Sequence, residues 1–383
     1  MRDPLISSML AERIAAGDFP SAVYLVAERG QILLTDALGD AVRETEQHAA
    51  QLDTIYDLAS LTKPLITGLL CARRIERKEF ALDHTVAQYL HEFEVDDKRA
   101  ITLRQLLTHT SGLPAWRPVY LLALDRESVL ETIAQERLDA APGTHVRYSD
   151  LGFMTLGFLL ERISKSTLAE IARREIFEPL NLKRTFFNPD PALKTEVAAC
   201  EIGNAYERGT CGVKNTDGYN WRENLIWGEV HDGNAYFLGG AAGHAGLFSS
   251  APETLRIALQ FLAGTTSLLK PETCALFTTN MTEGLEEARS IGWQLAATPE
   301  STAGPHLPPA SFGHLGFTGT SCWNDPTRER TFILLTNRTH TRTLPFVNIN
   351  SVRRRFHSLA VAALDRQETA EDENSHRQAQ DRP

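Results

Sequence analysis

The sequence lacks the features that mark membrane-spanning, nucleic-acid-binding and secreted proteins. Its longest nearly apolar stretch, residues 151–160, is about half as long as a membrane-spanning helix must be. Lys and Arg number 39 against 49 Asp and Glu, and the net charge of −10 gives no basic surface for nucleic acid. The chain does not open with a basic segment followed by an apolar one, so we expect no secretory signal and a cytoplasmic location.

Cysteine is also scarce, and its spacing gives no metal or redox motif. The chain has 5 cysteines, none of them in a Cys-x-x-Cys pair or a spaced Cys/His cluster. We therefore expect free thiols in a reducing compartment, with a Cys200–Cys211 disulfide as the alternative. Because His231, Asp232 and His244 lack the spacing of metal ligands, we expect no metal and no cofactor.

The composition is that of a globular protein with both helices and strands. Of the 383 residues, 42% are hydrophobic and 23% are charged. A hairpin pattern comes first, and helices, loops, strands and a last helix follow it. Strand patterns cover 22–27, 31–38, 291–295, 321–324 and 331–336, and helical patterns cover 61–78, 103–108, 126–135, 152–165, 168–177 and 346–365.

This order predicts an α+β fold, in which helices cover an antiparallel sheet that carries an inserted, mostly helical lobe. Strands from both ends of the chain can pair, so we expect residues 1–63 and 240–365 to form the sheet lobe and residues 64–239 the helical lobe. The irregular, aromatic segment 200–229 is typical of a surface excursion that lines a cleft. The polar tail 366–383 is predicted to be disordered.

The first motif with chemical meaning is a Ser-x-x-Lys pair at Ser60 and Lys63. If Ser60 begins a helix, Lys63 lies one turn further on the same face, and Pro64 suits a first helical turn. A serine hydroxyl needs a base to become a nucleophile, and a lysine serves as that base when its pKa is lowered. The alternative is a helix-capping serine with a surface lysine.

The second motif is Tyr148 and Asp150, which follow the turn at Pro142 and Gly143. A tyrosine between a turn and a helix start can point into a cleft, where its phenol passes protons between a nucleophile and a leaving group. In the alternative interpretation Tyr148 is a packed aromatic side chain and Asp150 is the N-cap of the following helix.

The third motif is the segment 312–320, which contains His314, Gly316 and Phe317. Glycines within a strand pattern indicate close approach by a ligand or by another backbone. An edge strand here could donate N–H groups to a substrate. The alternative is a glycine-rich bend with a structural histidine.

In this order and spacing, the three motifs resemble those of the serine β-lactamase and penicillin-binding-protein-like hydrolase superfamily. The resemblance is nearest to the branch that holds class C β-lactamases, D-alanyl-D-alanine carboxypeptidases and esterases. Residues 106–114 and 239–250 are similar to further segments of that branch. The resemblance spans roughly residues 5–365 and implies the β-lactamase/transpeptidase-like fold, which agrees with the α+β order.

The resemblance also implies a role for each motif residue. Ser60 is the expected acylated nucleophile, Lys63 its base and Tyr148 the shared proton carrier. Residues 314–316 occupy the place of a Lys-Thr-Gly triad, and the Phe317 N–H is the expected second oxyanion donor beside the Ser60 N–H. Only the backbone of Phe317 matters for that role.

Three departures from the family pattern bear on the substrate. Asp150 stands where Asn is more frequent and cannot donate a hydrogen bond when ionised. His314 replaces a lysine and Leu315 a hydroxyl residue, so a substrate carboxylate is held less well. We therefore predict a serine hydrolase that forms an acyl-enzyme on a small, neutral or amphiphilic ester or amide.

Two alternatives to this prediction stay open. One is a D-alanyl-D-alanine carboxypeptidase or class C-like β-lactamase that acts outside the cell. The other is a non-catalytic binding protein that retains the fold.

Overall fold

The computed structural model describes residues 1–213, 218–340 and 344–380, with side chains up to residue 367. Its α-helices are α1 (Pro4–Ala15), α2 (Leu69–Glu76), α3 (Leu103–Leu107), α4 (Val119–Leu122), α5 (Val129–Gln135), α6 (Asp150–Ser164), α7 (Leu168–Ala172), α8 (Ala205–Thr210), α9 (Gly233–Phe237), α10 (Ala251–Ala258), α11 (Ala275–Thr278) and α12 (Asn350–Gln380). Its strands are β1 (Ser21–Glu28), β2 (Gln31–Val42), β3 (His48–Ala49), β4 (Tyr56–Asp57), β5 (Phe186–Phe187), β6 (Leu247–Ser249), β7 (Gln294–Leu295), β8 (Phe312–Leu315), β9 (Ser321–Asp325) and β10 (Arg330–Thr336).

Strands from the two ends of the chain meet in one antiparallel sheet, as the sequence predicted. The strand order in the described residues is β3-β2-β1-β10-β9-β8-β7. The predicted hairpin is β1–β2, and β1 pairs with β10 in a register that sets Ala22 opposite Thr336 and Leu25 opposite Ile333. A smaller sheet, β4-β6-β5, lies where the chain approaches Ser60. The α+β fold class is confirmed.

Strand β1 shows why the sheet is covered on both faces. Alternate side chains of a strand point to opposite faces, and here Val23 and Leu25 belong to one hydrophobic core while Tyr24 and Val26 belong to the other. The second core is completed by α1 and α12. A strand that is apolar on both faces requires such a layer on each side.

The helices predicted between residues 100 and 180 are present as α3, α5, α6 and α7, and α7 continues into a π-helical turn, Arg173–Phe177. One detail at α6 was wrong: the N-cap is Ser149, whose side chain accepts a hydrogen bond from the Gly152 N–H, and not Asp150. The carboxylate of Asp150 instead faces Lys63. The exact division into two lobes stays a prediction.

The C-terminal end differs from the prediction. Helix α12 begins at Asn350 and runs to Gln380, so it enters the segment for which disorder was predicted. That segment is rich in Glu, Gln, Arg and Ala, which favour helix even where no apolar side chain is buried. Residues 381–383 of the predicted tail lie outside the described residues.

Two further observations concern the expectations from composition. The 5 cysteines are free thiols, so the alternative of a Cys200–Cys211 disulfide is wrong. Among the helices of the described residues, none combines the length and the apolar character that crossing a membrane requires.

Candidate active site

Ser60 and Lys63 come together as the Ser-x-x-Lys spacing predicted. Ser60 lies in a short 3-10 turn, Ala59–Leu61, and Lys63 opens the π-helical segment that leads into α2. Lys63 is fully buried, and its Nζ donates to Ser60 Oγ at 2.9 Å and to the His244 carbonyl oxygen at 3.1 Å. The alternative of a surface lysine is therefore wrong.

Asp150 completes the surroundings of the Lys63 amine. Its Oδ1 lies 2.6 Å from Lys63 Nζ. Burial acts to lower the pKa of Lys63, but the charge of Asp150 and the contact with Tyr148 outweigh it, and the pKa is raised above its usual value. The lowered pKa that the sequence argument required of a lysine base is thus absent from the resting site.

Tyr148 lies between Lys63 and two histidines. Lys63 Nζ is 4.9 Å from the centre of the tyrosine ring, and the ring centroids of His109 and His314 are 4.6 and 5.8 Å from that of Tyr148. Desolvation raises the pKa of Tyr148, so the phenol is neutral in the resting site. Burial also holds the pKa values of both histidines well below their usual value, which leaves them uncharged.

The loop after β8 is fastened to the segment that precedes Ser60. The hydroxyls of Thr318 and Thr320 donate to the carbonyl oxygens of Asp57 and Leu58 at 2.7 and 2.9 Å. A Cβ at position 316 would collide with the Thr320 hydroxyl and come within 2.5 Å of the Leu58 carbonyl oxygen. Gly316 is therefore required by close backbone approach, as the glycine pattern indicated.

A cavity of about 560 Å³ opens over these residues. Five of the seven predicted site residues line it, namely Ser60, Tyr148, Asp150, Gly316 and Phe317. Two do not. Lys63 lies beneath the lining, and the ring of His314 is buried beside Tyr148, with Nδ1 2.8 Å from the Leu315 carbonyl oxygen. The predicted contact between the His314 side chain and substrate is thus not part of the observed cavity.

The excursion predicted at residues 200–229 lines this cavity, as expected, and the wall that it forms continues to residue 232. Tyr206 and His231 line it, and both pack on the ring of Phe317, at centroid distances of 5.1 and 5.6 Å. The sequence argument placed no constraint on the Phe317 side chain, but the structure shows it at the centre of an aromatic cluster. Residues 214–217 of the excursion lie outside the described residues.

Acidic groups of the excursion are buried close to the cavity. Glu201 accepts from His231 Nε2 at 2.8 Å, and Asp232 lies 3.0 Å from His244 Nε2. Glu207 lines the cavity and accepts from the Gly233 N–H at 2.8 Å. Burial and the charge of Asp232 raise the pKa of Glu207 to about 7.

Sequence reasoning missed two arginines in the C-terminal part of the chain. Arg338 and Arg353 line the cavity together with Asn350. Arg338 donates to the Phe317 carbonyl oxygen at 2.6 Å, and Arg353 donates to that of Gly316 at 2.8 Å. No local motif marks these residues, because only tertiary packing brings helix α12 and the segment after β10 to the site.

Comparison with known proteins identifies the family of this chain. The sequence matches the family model described as Beta-lactamase over residues 6–351. The chain belongs to the beta-lactamase family. This membership identifies a hydrolase and confirms the resemblance seen in the motifs.

Curated relatives of this beta-lactamase family protein carry two kinds of name. A "Putative D-alanyl-D-alanine carboxypeptidase" of Escherichia coli (strain K12) is 30% identical over 363 residues, which cover 86% of this chain and 81% of the relative. An "N-acetylmuramyl-L-alanine amidase" of Bacillus subtilis (strain 168) is 32% identical over 366 residues, which cover 88% of this chain and 81% of the relative.

Solved structures confirm the fold of the family. EstCE1, described as a hydrolase with promiscuous acyltransferase activity, has a TM-score of 0.71 at 23% identity, with 92% of this chain and 97% of that chain covered. A class C beta lactamase from Rhodobacter sphaeroides has a TM-score of 0.69 at 20% identity, with 94% and 98% covered.

Proposed function

We propose that this protein is a serine hydrolase that cleaves a small ester or amide through a covalent acyl-enzyme on Ser60. The observation that carries the proposal is the 2.9 Å contact between Lys63 Nζ and Ser60 Oγ at the edge of a cavity that Tyr148 also lines. A nucleophile within hydrogen-bond reach of an amine, with a third group that orients the amine, is the arrangement that nucleophilic catalysis needs.

The proton path starts from the Lys63–Asp150 pair. Substrate entry excludes water, and in that dry site the proton of Lys63 passes across the 2.6 Å contact to Asp150 Oδ1. Lys63 is then a neutral amine beside Ser60 and takes the hydroxyl proton as Oγ attacks the substrate carbonyl carbon. The oxygen of that carbonyl becomes the oxyanion, which the Ser60 and Phe317 N–H groups stabilise.

Tyr148 serves the second half of acylation. Its neutral phenol gives a proton to the leaving alcohol or amine, and the Lys63 ammonium then restores that proton. The acyl group stays on Ser60 Oγ until water hydrolyses it, and the same groups act in the reverse sense. No cofactor enters any of these steps.

A carboxypeptidase acting on a peptide with a free carboxylate is the second candidate, and one observation favours it. Arg338 and Arg353 are among the residues that line the cavity, and they bring to it the positive charge that the neutral His314 does not supply. The names of two curated relatives, a putative D-alanyl-D-alanine carboxypeptidase and an N-acetylmuramyl-L-alanine amidase, support an amide or peptide substrate of this kind.

Labelling with a fluorophosphonate tests the serine assignment. The probe should attach to the wild-type protein, and peptide mapping should find it on Ser60. Attachment elsewhere, or none at all, would exclude the proposed nucleophile and revive the binding-protein alternative. The cytoplasmic location stays a prediction, which cell fractionation tests.

A further inference from the structure

The residue before the proposed nucleophile has an unusual backbone conformation. Ala59 has φ of +48°, in the left-handed region, although it carries a Cβ. That region is unfavourable for residues other than glycine, because the Cβ crowds the backbone. Such a conformation persists only where the surroundings hold it in place, and it is found most often at functional sites.

The side chain of Asp57 provides that hold. Asp57 is 3% exposed, and its Oδ1 accepts from the Ala59 N–H at 2.8 Å. Its Oδ2 accepts from the His231 N–H, also at 2.8 Å. Both carboxylate oxygens are therefore bound to backbone, one just before Ser60 and the other in the wall of the cavity.

The backbone of Asp57 makes a third connection. Its carbonyl oxygen accepts from the Thr318 hydroxyl at 2.7 Å, in the loop that carries Phe317. His231, bound to the carboxylate, stacks on the Phe317 ring. Asp57 thus joins the segment of Ser60, the excursion and the loop of Phe317, which are the three parts that must be in register for an acylation site.

We propose that Asp57 is a positioning residue for acylation, which holds Ala59 in its left-handed conformation and thereby aims the N–H and the hydroxyl of Ser60 at the substrate carbonyl. This inference rests on the proposed function. Asp57 does not touch the substrate, so its effect reaches the reaction through residue 59. The inference predicts that another change that favours the left-handed conformation at residue 59 restores acylation when the Asp57 carboxylate is absent.

Glycine supplies that other means, because it adopts positive φ without a steric cost. The experiment compares four proteins: wild type, Asp57→Ala, Ala59→Gly and the double variant. Burst-phase acylation by p-nitrophenyl acetate gives the acylation rate, a substrate series gives KM, and thermal unfolding reports on the fold. Asp325→Ala is the matched control, because Asp325 is 2% exposed and accepts from the N–H and hydroxyl of Thr327 in a turn away from the cavity.

We expect Asp57→Ala to slow acylation about 100-fold, the loss typical of a misplaced oxyanion donor, with little change in KM. Ala59→Gly alone gives the rate with which the double variant is compared. In the double variant, at least about tenfold of the loss should be recovered, since the left-handed backbone no longer needs the carboxylate. Asp325→Ala should acylate normally even if its unfolding temperature falls.

A glycine that recovers nothing in a folded double variant, or an Asp57→Ala protein that acylates like wild type, would overturn the inference. If Asp57→Ala does not fold, Asp57→Asn takes its place, because it removes one of the two acceptor oxygens. The acylation rates of Asp57→Asn with and without Ala59→Gly then test the inference in the same way. Failure of the proposed function is distinct, since it shows as acylation that persists in Ser60→Ala.

Discussion

Lys63 Nζ lies 2.6 Å from Asp150 Oδ1, and this ion pair is the main electrostatic feature of the site. The lysine is fully buried, whereas the carboxylate is 15% exposed and lines the cavity. A buried ammonium is costly without an anion beside it. Asp150 therefore neutralises Lys63 and does not add free negative charge to the cavity.

The first prediction concerns the pH dependence of Asp150→Asn. Without the carboxylate, the largest effect left on Lys63 is burial, which lowers its pKa against the opposing effect of the contact with Tyr148. The variant should acylate with an acidic limb, in which the rate rises as pH increases through the lowered pKa of Lys63. The wild-type pair keeps one proton throughout this range, so its rate should show no such limb. Stopped-flow acylation from pH 5 to 10 measures this, and superimposable profiles would contradict the role given to Asp150.

The second prediction concerns Tyr148→Phe. The variant keeps the ring that packs between His109 and His314 but loses the hydroxyl that passes the proton. We expect kcat to fall by about 10²–10⁴-fold, the usual contribution of a general acid or base, with an unchanged unfolding temperature. Steady-state hydrolysis of an alkyl ester, whose alcohol leaves only with a proton, gives the rate. A loss of less than about threefold would remove Tyr148 from the mechanism.

The third prediction concerns the glycine contact behind Lys63. A Cβ at Gly243 would collide with the Phe153 carbonyl oxygen and come within 3.0 Å of Gly157 Cα on α6. Gly243→Ala should therefore destabilise the fold by about 1–3 kcal/mol, the usual cost of overpacking. Urea unfolding measures the change. In the control Gly209→Ala, the added methyl meets no atom within 4 Å, and equal losses in the two variants would contradict the contact.

The fourth prediction concerns stability against pH at Glu207. Its pKa rises from 4.5 in the unfolded chain to about 7 in the fold, chiefly through burial. Between these values the folded state binds more protons than the unfolded state, so the free energy of unfolding should fall as pH increases from about 4.5 to about 7. Glu207→Gln should lack this part of the fall.

Urea unfolding at several values between pH 5 and pH 8 tests this fourth prediction. Glu131→Gln, on an exposed part of α5, controls for the loss of one carboxylate. If Glu207→Gln and wild type lose stability in parallel, Glu207 is not the group that titrates.

The parts of the fold that sequence could predict are those set by local pattern. Two β-rich runs on either side of Gly30 define the β1–β2 hairpin, and the three-residue spacing brings Lys63 to Ser60, because both patterns are local in the sequence. The end of α12 was missed because the polar segment contains strong helix formers but no apolar pattern that would signal a helix. The N-cap of α6 was misplaced by one residue because Ser149 and Asp150 are both good capping residues.

The parts of the site that sequence could not predict depend on tertiary contacts. Nothing near Asp150 reveals that its carboxylate meets Lys63, and nothing near Arg338 or Arg353 reveals a cavity. The aromatic, irregular sequence of the excursion did indicate a segment that lines a cleft, although nothing in it marked Glu207. The role of Asp57 was hidden because its partners, Ala59 and His231, become informative only once their backbones are placed.

The central claim, a covalent acyl-enzyme on Ser60, is tested most directly by intact-mass spectrometry. Wild type and Ser60→Ala are incubated in parallel with a p-nitrophenyl ester and with a penicillin. The account predicts a transient acyl adduct from the ester on wild type and none on Ser60→Ala, and a lasting penicillin adduct on wild type would favour the carboxypeptidase candidate. An adduct of equal yield on Ser60→Ala, or no adduct on either protein with either compound, would contradict the account.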